Sequence, residues 1–201
     1  MESNYQYIDP DFIYTNRNGV LVNIAKIEDD KVLIAFESFK VSKRIEDLTE
    51  RPIKIKDSNS LLEIHQYLFQ DVYEWAGKVR TVNISKDGKP FFDGERFEMG
   101  FRYIDNLLSE FREINKTNRL ELANKLAEML DAINYLHPFR EGNGRAQREF
   151  LRLLALEKGL TLNLNPPDNK SVYERYMQGT IESDVEILKQ LIFELIEPIK
   201  Q

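Results

Sequence analysis

The segment His137-Pro138-Phe139-Arg140-Glu141-Gly142-Asn143-Gly144-Arg145-Ala146-Gln147-Arg148 gathers an imidazole, a carboxylate, an amide, two glycines and three guanidiniums between two stretches of helical apolar periodicity. Upstream, Leu122, Leu126, Met129 and Ile133 recur at helical intervals. Proline disfavours helical geometry in the residue before it, so His137 is expected at or just past a helix end. Downstream, the spacing predicts a helix from about Arg145 to Lys158 that buries Phe150, Leu153 and Leu154 and stops at Gly159. A polar loop held between two core helices points to a mainly α protein.

The loop has the composition of a phosphate site. Two glycines flanking an asparagine at a helix start let backbone N–H groups turn toward one point, where the helix dipole adds positive potential. Arg145 and Arg148 are three residues apart and share a helix face beside that anion hole. Glu141, a lone carboxylate next to a polyphosphate, is a candidate ligand for magnesium, with phosphate oxygens and water completing its shell. His137, with an ordinary pKa of about 6.5, is a candidate general base for an attacking hydroxyl. The order is neither Gly-x-x-x-x-Gly-Lys-Ser/Thr nor Gly-x-Gly-x-x-Gly, because Gln147 fills the third glycine position, so ordinary ATPase and dehydrogenase readings lose support.

Working outward, Asp29 and Asp30 precede a helical run through Leu33, Phe36, Val41, Ile45 and Leu48. A second helix is expected from a cap at Asp57 or Ser58 through Leu61, Ile64, Leu68, Val72, Tyr73 and Trp75 to Gly77. Val79 to Ser85, a turn at Asp87-Gly88 and Pro90-Phe91-Phe92 read as one β-hairpin. Phe101, Ile104, Leu107, Leu108 and Phe111 mark a helix over 97–114, and 171–178 and 184–196 close the chain as helices. Met1 to about Ile27 is polar and reads as an extended arm. His65, amid Leu62, Ile64, Leu68 and Phe69, reads as structural, and Tyr73 and Trp75 read as core. Lys40, Lys43 and Arg44 are diluted by neighbouring acids and read as a solvated face.

With 201 residues, 42% hydrophobic and 31% charged, the chain has the composition of one ordinary globular domain. Lys+Arg of 28 against Asp+Glu of 34 gives a net charge of −6, which argues against nucleic acid or anionic lipid as the main partner. The absence of cysteine removes disulfides, thiolate metal sites and cysteine nucleophiles and fits a cytoplasmic setting. No apolar run is long enough to span a bilayer and Met1–Pro10 lacks the halves of a secretory signal, so no membrane association is expected; injection as an effector stays open.

Residues 137–148 resemble the Fic domain signature His-Pro-Phe-x-Asp/Glu-Gly-Asn-Gly-Arg-x-x-Arg at every defined position, and Asp71 to Lys86 resembles the segment leading into that family's hairpin flap. The resemblance covers roughly Gly19 to Leu195. It implies a mainly α, Fic-type helical bundle with one short β-hairpin flap at about 79–92, spanning 29–201 after an arm at 1–28. The activity it implies is AMP transfer from Mg-ATP to a Ser, Thr or Tyr hydroxyl of a target protein. His137 would deprotonate that hydroxyl, and Glu141 would hold magnesium. Gly142, Asn143 and Gly144 would line the anion hole, Arg145 would meet the β-phosphate side and Arg148 the γ-phosphate. Lys86, Asp87, Gly88, Lys89, Pro90, Phe91 and Phe92 would form the flap that docks the target as an added strand.

Two biological settings stay open: an injected bacterial effector, or the toxin of a toxin–antitoxin pair whose small separate antitoxin supplies an inhibitory glutamate to Arg148. Neither Ser109–Glu113 nor Thr117–Glu121 completes the inhibitory pattern within the chain, because Ile114 and Leu122 follow where glycine or asparagine is expected. Phosphotransfer, removal of AMP, and a non-catalytic nucleotide- or peptide-binding module are the alternatives. Doc-like phosphotransferases carry lysine where this chain has Gly144, and an idle scaffold would lack His137 or Glu141. Tyr5 and Tyr7 in the arm are hydroxyls open to self-modification.

Overall fold

A computed structural model describes residues 12–86 and 88–199, together with the backbone of 5–7. In chain order the described elements are β1 (Tyr5–Tyr7), α1 (Asp30–Glu50), α2 (Ser60–Phe69), β2 (Ile84–Lys86), β3 (Lys89–Pro90), a 3-10 turn (Gly94–Arg96), α3 (Phe97–Glu113), α4 (Arg119–Leu136), α5 (Asn143–Glu157), β4 (Leu160–Thr161), α6 (Lys170–Glu182), α7 (Val185–Leu195) and β5 (Glu197–Pro198). The mainly α class expected from periodicity is what forms.

α4 is the central element, packed on α3, α5, α6 and α7. Its buried residues Leu122, Ala123, Leu126, Ala127, Met129, Leu130, Ile133 and Leu136 pass most of the way round the helix, as they must in a helix with neighbours on several sides. Asn118 caps its start by accepting the Glu121 N–H, and Asp29 and Asp184 cap α1 and α7 in the same way. α5 packs between α4 and α2 and buries Ala146, Phe150, Leu151, Leu153 and Leu154. The loop 137–142 is therefore pinned at both ends by core helices.

Several boundaries differ from the sequence expectation. α2 ends at Phe69, and Val72, Tyr73 and Trp75 lie in the turns that follow, although all three are buried. Their aromatic and apolar character reflects burial, which continues after the helical hydrogen bonds stop. α5 begins at Asn143, two residues earlier than expected. The hairpin strands are shorter, Ile84–Lys86 and Lys89–Pro90, and residues 79–83 are not strand. Asp87 lies outside the described residues, as do Met1–Asn4, Ile8–Asp11, Lys200 and Gln201 and the side chains of Tyr5–Tyr7.

The described part of the arm is not extended throughout. Asn16 turns the chain at Asn18-Gly19, its side chain accepting the Asn18 and Val20 N–H groups, and Thr15 bridges Leu21. Tyr14 and Val20 are buried in the core. β1 pairs antiparallel with β2, giving a three-stranded sheet of order β1-β2-β3, and β4 pairs with β5.

Gly77 ends the turn after α2 at φ +78, and a Cβ there would lie 2.6 Å from Gln66 Cβ and 3.1 Å from the Leu62 carbonyl. Gly159 has φ +74 with nothing near an added Cβ. Gly159→Ala should therefore cost about 1 kcal/mol for the left-handed backbone alone. Gly77→Ala should cost about 1–3 kcal/mol more, because the backbone of α2 cannot yield as a side-chain tip would. Urea unfolding of the two variants checks the difference; equal losses would show that the crowding at Gly77 is relieved at no cost.

Candidate active site

His137 terminates α4 in the left-handed region, φ 43 and ψ 59. Such a conformation is disfavoured for a residue with a Cβ and needs surrounding bonds to hold it. Its own N–H donates to Ile133 O at 3.0 Å. Its carbonyl accepts Arg80 Nε at 2.9 Å, and the next carbonyl, that of Pro138, accepts the Arg80 N–H at 2.8 Å. The ring's Nδ1 lies 3.0 Å from Asn134 O. A carbonyl only accepts, so Nδ1 carries the proton and Nε2 keeps its lone pair. Phe91, from the end of the hairpin, stacks on the imidazole at 3.8 Å and 19°. Burial, reinforced by the charges of Arg80 and Lys86 and opposed by the Asn134 bond, pushes the imidazole down to about 3.

The loop that follows is fixed by three contacts. Asn143 brackets Phe139, its Oδ1 accepting the Phe139 N–H at 2.9 Å and its Nδ2 donating to the Phe139 carbonyl at 2.7 Å. His65 stacks on Phe139 at 3.7 Å, accepts the Gly77 N–H on Nδ1, and donates from Nε2 to the Glu141 carbonyl at 3.0 Å. Gly142 sits at φ +82 with its Cα against Phe69, where a Cβ would lie 2.3 Å from Cζ. His65 is thus structural, as its apolar neighbours implied, and its structural task is to aim the loop. Burial pushes this ring down to about 3 as well.

At the start of α5 no side chain caps the helix, so the first N–H groups, those of Asn143 and Gly144, have no acceptor within the helix. The hole is narrower than the sequence suggested: the Gly142 N–H is taken by Glu141 Oε1 at 2.9 Å, and the Asn143 side chain faces inward to Phe139. Glu141 keeps 23% of its side chain exposed and also stands 3.7 Å from Arg145. Desolvation raises its pKa, against the Gly142 bond and the Arg145 charge.

The two motif arginines differ in their surroundings. Arg145 pairs with Glu37 of α1 at 2.6 Å and lies over the Phe69 ring at 4.6 Å. Glu37 is in turn held by the Tyr73 hydroxyl. Arg148 has no carboxylate partner among the described residues; it lies over Tyr173 and Tyr176, with Nη1 at 3.5 Å from the Tyr176 hydroxyl. Gly144 leaves room there, since a Cβ would come within 3.3 Å of Arg148 Nη1. Of the hairpin, Phe92 donates its N–H to Tyr135 O, Lys86 is half-buried, and Gly88, Lys89 and Pro90 are exposed.

Glu37, Tyr73, Arg80 and Tyr176 were not among the sequence candidates. Glu37 left a signal: with Leu33 and Val41 it sits on the four-residue stripe that α1 buries, where a carboxylate needs a partner.

Residues 56–155 match the model of the Fic/DOC family. A probable protein adenylyltransferase of Sinorhizobium fredii, y4lH, is 33% identical over 168 residues, which cover 82% of this chain and 83% of that protein. The chain belongs to the Fic/DOC family. Protein adenylyltransferase VbhT of Bartonella schoenbuchensis is 37% identical over 158 residues, 78% of this chain. The Fic chain spans only 32% and 39% of the lengths of the two Bartonella adenylyltransferases it matches. In fold it is similar to the BepC protein of Bartonella tribocorum, solved with bound AMPPNP: TM-score 0.80 at 22% identity, covering 94% of this chain and 98% of that one.

The two histidines of this Fic domain make a pH prediction. Each has its folded pKa lowered from 6.5 to about 3, so between those values the unfolded chain binds the proton and the folded chain does not. Their contribution to stability is full above about pH 6.5 and is lost as pH falls toward 3. Replacing His137 with Asn should flatten the slope of unfolding free energy near pH 5 by about 1.4 kcal/mol per pH unit. Urea unfolding from pH 7 to 4.5 measures it; an unchanged slope would mean that His137 is protonated in the fold.

Proposed function

We propose that this chain transfers AMP from ATP to a hydroxyl side chain of a protein, with His137 as general base. The observation that carries the reading is the Nδ1–H bond to Asn134, which leaves Nε2 as the acceptor on a neutral ring next to a helix N-terminus with free N–H groups. The hydroxyl oxygen attacks the α-phosphorus, its proton passes to Nε2, and the bond from α-phosphorus to the bridging oxygen breaks as pyrophosphate leaves. The N–H groups of Asn143 and Gly144 and the guanidiniums of Arg145 and Arg148 neutralise the charge that accumulates on the phosphates. Arg148, without a carboxylate partner among the described residues, is ready for the terminal phosphate, whereas Arg145 shares its charge with Glu37 and Glu141.

The residues fit a divalent cation held on the nucleotide. Glu141 spends one oxygen on Gly142, and no group of three or more potential ligands gathers among the described residues. One carboxylate plus phosphate oxygens and water is how magnesium is commonly held. The ion would supply neutralising charge to the phosphates, and its proximity would keep Glu141 ionised against the burial that raises its pKa.

The names of the Sinorhizobium and Bartonella relatives, and the AMPPNP of the BepC structure, support ATP and adenylyl transfer. Target docking on the hairpin fits the placement of Phe91, which joins that hairpin to the base. A setting as effector has a parallel in the BepC protein, described as a VirB-translocated effector; in a setting as toxin, an antitoxin glutamate would meet Arg148, which has no carboxylate partner among the described residues. Phosphotransfer is disfavoured because this chain has Gly144 where the Doc-like members carry lysine.

Purified chain incubated with magnesium, a cell lysate and ATP labelled at the α- or the γ-phosphate should label protein from the α position only, and His137→Ala should abolish it. Label from γ alone would replace this reading with phosphotransfer, and no label would leave a binding module. Arg148→Ala should raise KM for ATP about tenfold to a hundredfold, the loss of one charge-assisted phosphate contact of about 1.5–3 kcal/mol.

A further inference from the structure

Helix α6 brings two tyrosine rings under the second motif arginine. Tyr173 and Tyr176 stand three residues apart on one face of α6, and the Arg148 guanidinium lies 5.8 Å and 5.4 Å from their ring centres. That face is set by α4: Asn134 Nδ2 donates to the Thr180 carbonyl at 2.9 Å, while the carbonyl of the same residue holds Nδ1 of His137. One asparagine thus ties α6 to the base.

The hydrogen bonds of the buried Tyr176 hydroxyl do not balance. A phenol oxygen can accept hydrogens and has one of its own to give. Here it accepts from Gln147 Nε2 and lies 3.5 Å from Arg148 Nη1, which only donates, and no acceptor among the described residues takes its own hydrogen. Gln147 Oε1, in an equally buried side chain, is also without a partner. Turning that amide round would give the phenol hydrogen an acceptor, but it would put the Nε2 hydrogens where Oε1 finds nothing to bond. In either orientation a buried polar group is left unmet, which is costly unless something else meets it.

What could meet it is indicated by the neighbours. A Cβ added to Gly144 would be 3.3 Å from Arg148 Nη1 and 3.7 Å from the Tyr176 hydroxyl, so the guanidinium and the phenol come together beside the start of α5. The Gly144 N–H has no acceptor within that helix. Three kinds of donor and no carboxylate therefore gather at one place, a setting for an anion.

We infer that Tyr176 is a binding residue for the terminal phosphate of a nucleoside triphosphate, its O–H donating to the phosphate oxygen beside Arg148 while Gln147 fixes the phenol. The inference deepens the adenylyl-transfer reading and rests on its placing of that phosphate at Arg148. A charged acceptor makes such a bond stronger than one to a neutral group. A nucleotide without the terminal phosphate leaves the hydroxyl unmet, so Tyr176 reads the end of the phosphate chain far from the reacting α-phosphorus.

Isothermal titration calorimetry on the full chain with magnesium would compare AMP with an ATP analogue that carries a methylene bridge between its α- and β-phosphates and so cannot transfer AMP. Tyr176→Phe should raise the Kd of the triphosphate about tenfold, the loss of one hydrogen bond to a charged group, and leave the Kd of AMP unchanged. The same substitution in an Arg148→Ala chain should weaken the triphosphate further, because the phenol acts on the phosphate itself. Equal losses for AMP and the triphosphate, no loss for either, or no further loss in the Arg148→Ala chain would overturn this inference and leave adenylyl transfer standing. A wild-type chain that binds neither nucleotide would overturn both.

Discussion

The buried guanidinium of Arg80 is the joint on which the site depends. It is 2% exposed and donates to the carbonyls of His137, Val82 and Phe92 and to the Asn83 side chain, while its main-chain N–H holds Pro138 O. One side chain thus fastens the end of α4, the approach to the hairpin and its exit. Burial draws its pKa down to about 10, still well above neutrality. A buried cation is tolerated only when its donors are satisfied, and here they are met by the His137 carbonyl where α4 stops, by the Val82 and Phe92 carbonyls on either side of the hairpin, and by the Asn83 side chain. A lysine could not replace it, because an ammonium lacks the planar fork that spans separate segments. The left-handed His137 is the counterpart of this clamp: the backbone turns there because its carbonyl is held.

From that joint the chemistry is arranged by packing. Phe91 can lie on the imidazole because Arg80 and Tyr135 hold the Phe92 backbone on either side. Phe139 can serve as the floor of the loop because Asn143 closes a ring of hydrogen bonds around it and His65 stacks beneath. The hairpin, the His137 ring and the start of α5 are therefore joined in one packed unit.

Much of this could be read in the sequence, with a clear limit. α1, α3, α4 and α7 were placed closely because their apolar spacing and caps are local properties. The end of α2 was not, because Val72, Tyr73 and Trp75 stay buried after the helix stops and burial imitates periodicity. Within the site, residues adjacent in sequence, from His137 to Arg148, were legible as a motif. Several of their partners come from far along the chain and have no sequence neighbour to announce them, as Arg80 on His137, 57 positions away, and His65 on Glu141, 76 away, illustrate. The inward turn of the Asn143 side chain was hidden for another reason: its partner, four residues back, is decided by how the loop folds onto Phe139.

On the proposed reading, the contrast between the two motif arginines bears on how the site would take up a nucleotide. Left unpaired, two guanidiniums beside a helix N-terminus would repel each other and attract any anion. Glu37 removes that instability by pairing with Arg145, and Tyr73 holds Glu37 in place from a buried position that pushes its own phenol up. A lone phosphate would have to compete with this carboxylate for Arg145 and gains little by it. A polyphosphate could engage Arg148, which has no carboxylate partner among the described residues, while a second phosphate at the helix N–H groups came near Arg145 with its Glu37 pair intact. On the proposed reading, the α1 carboxylate would favour a phosphate chain long enough to meet Arg148 and Arg145 together, a selectivity built from a residue outside the signature motif.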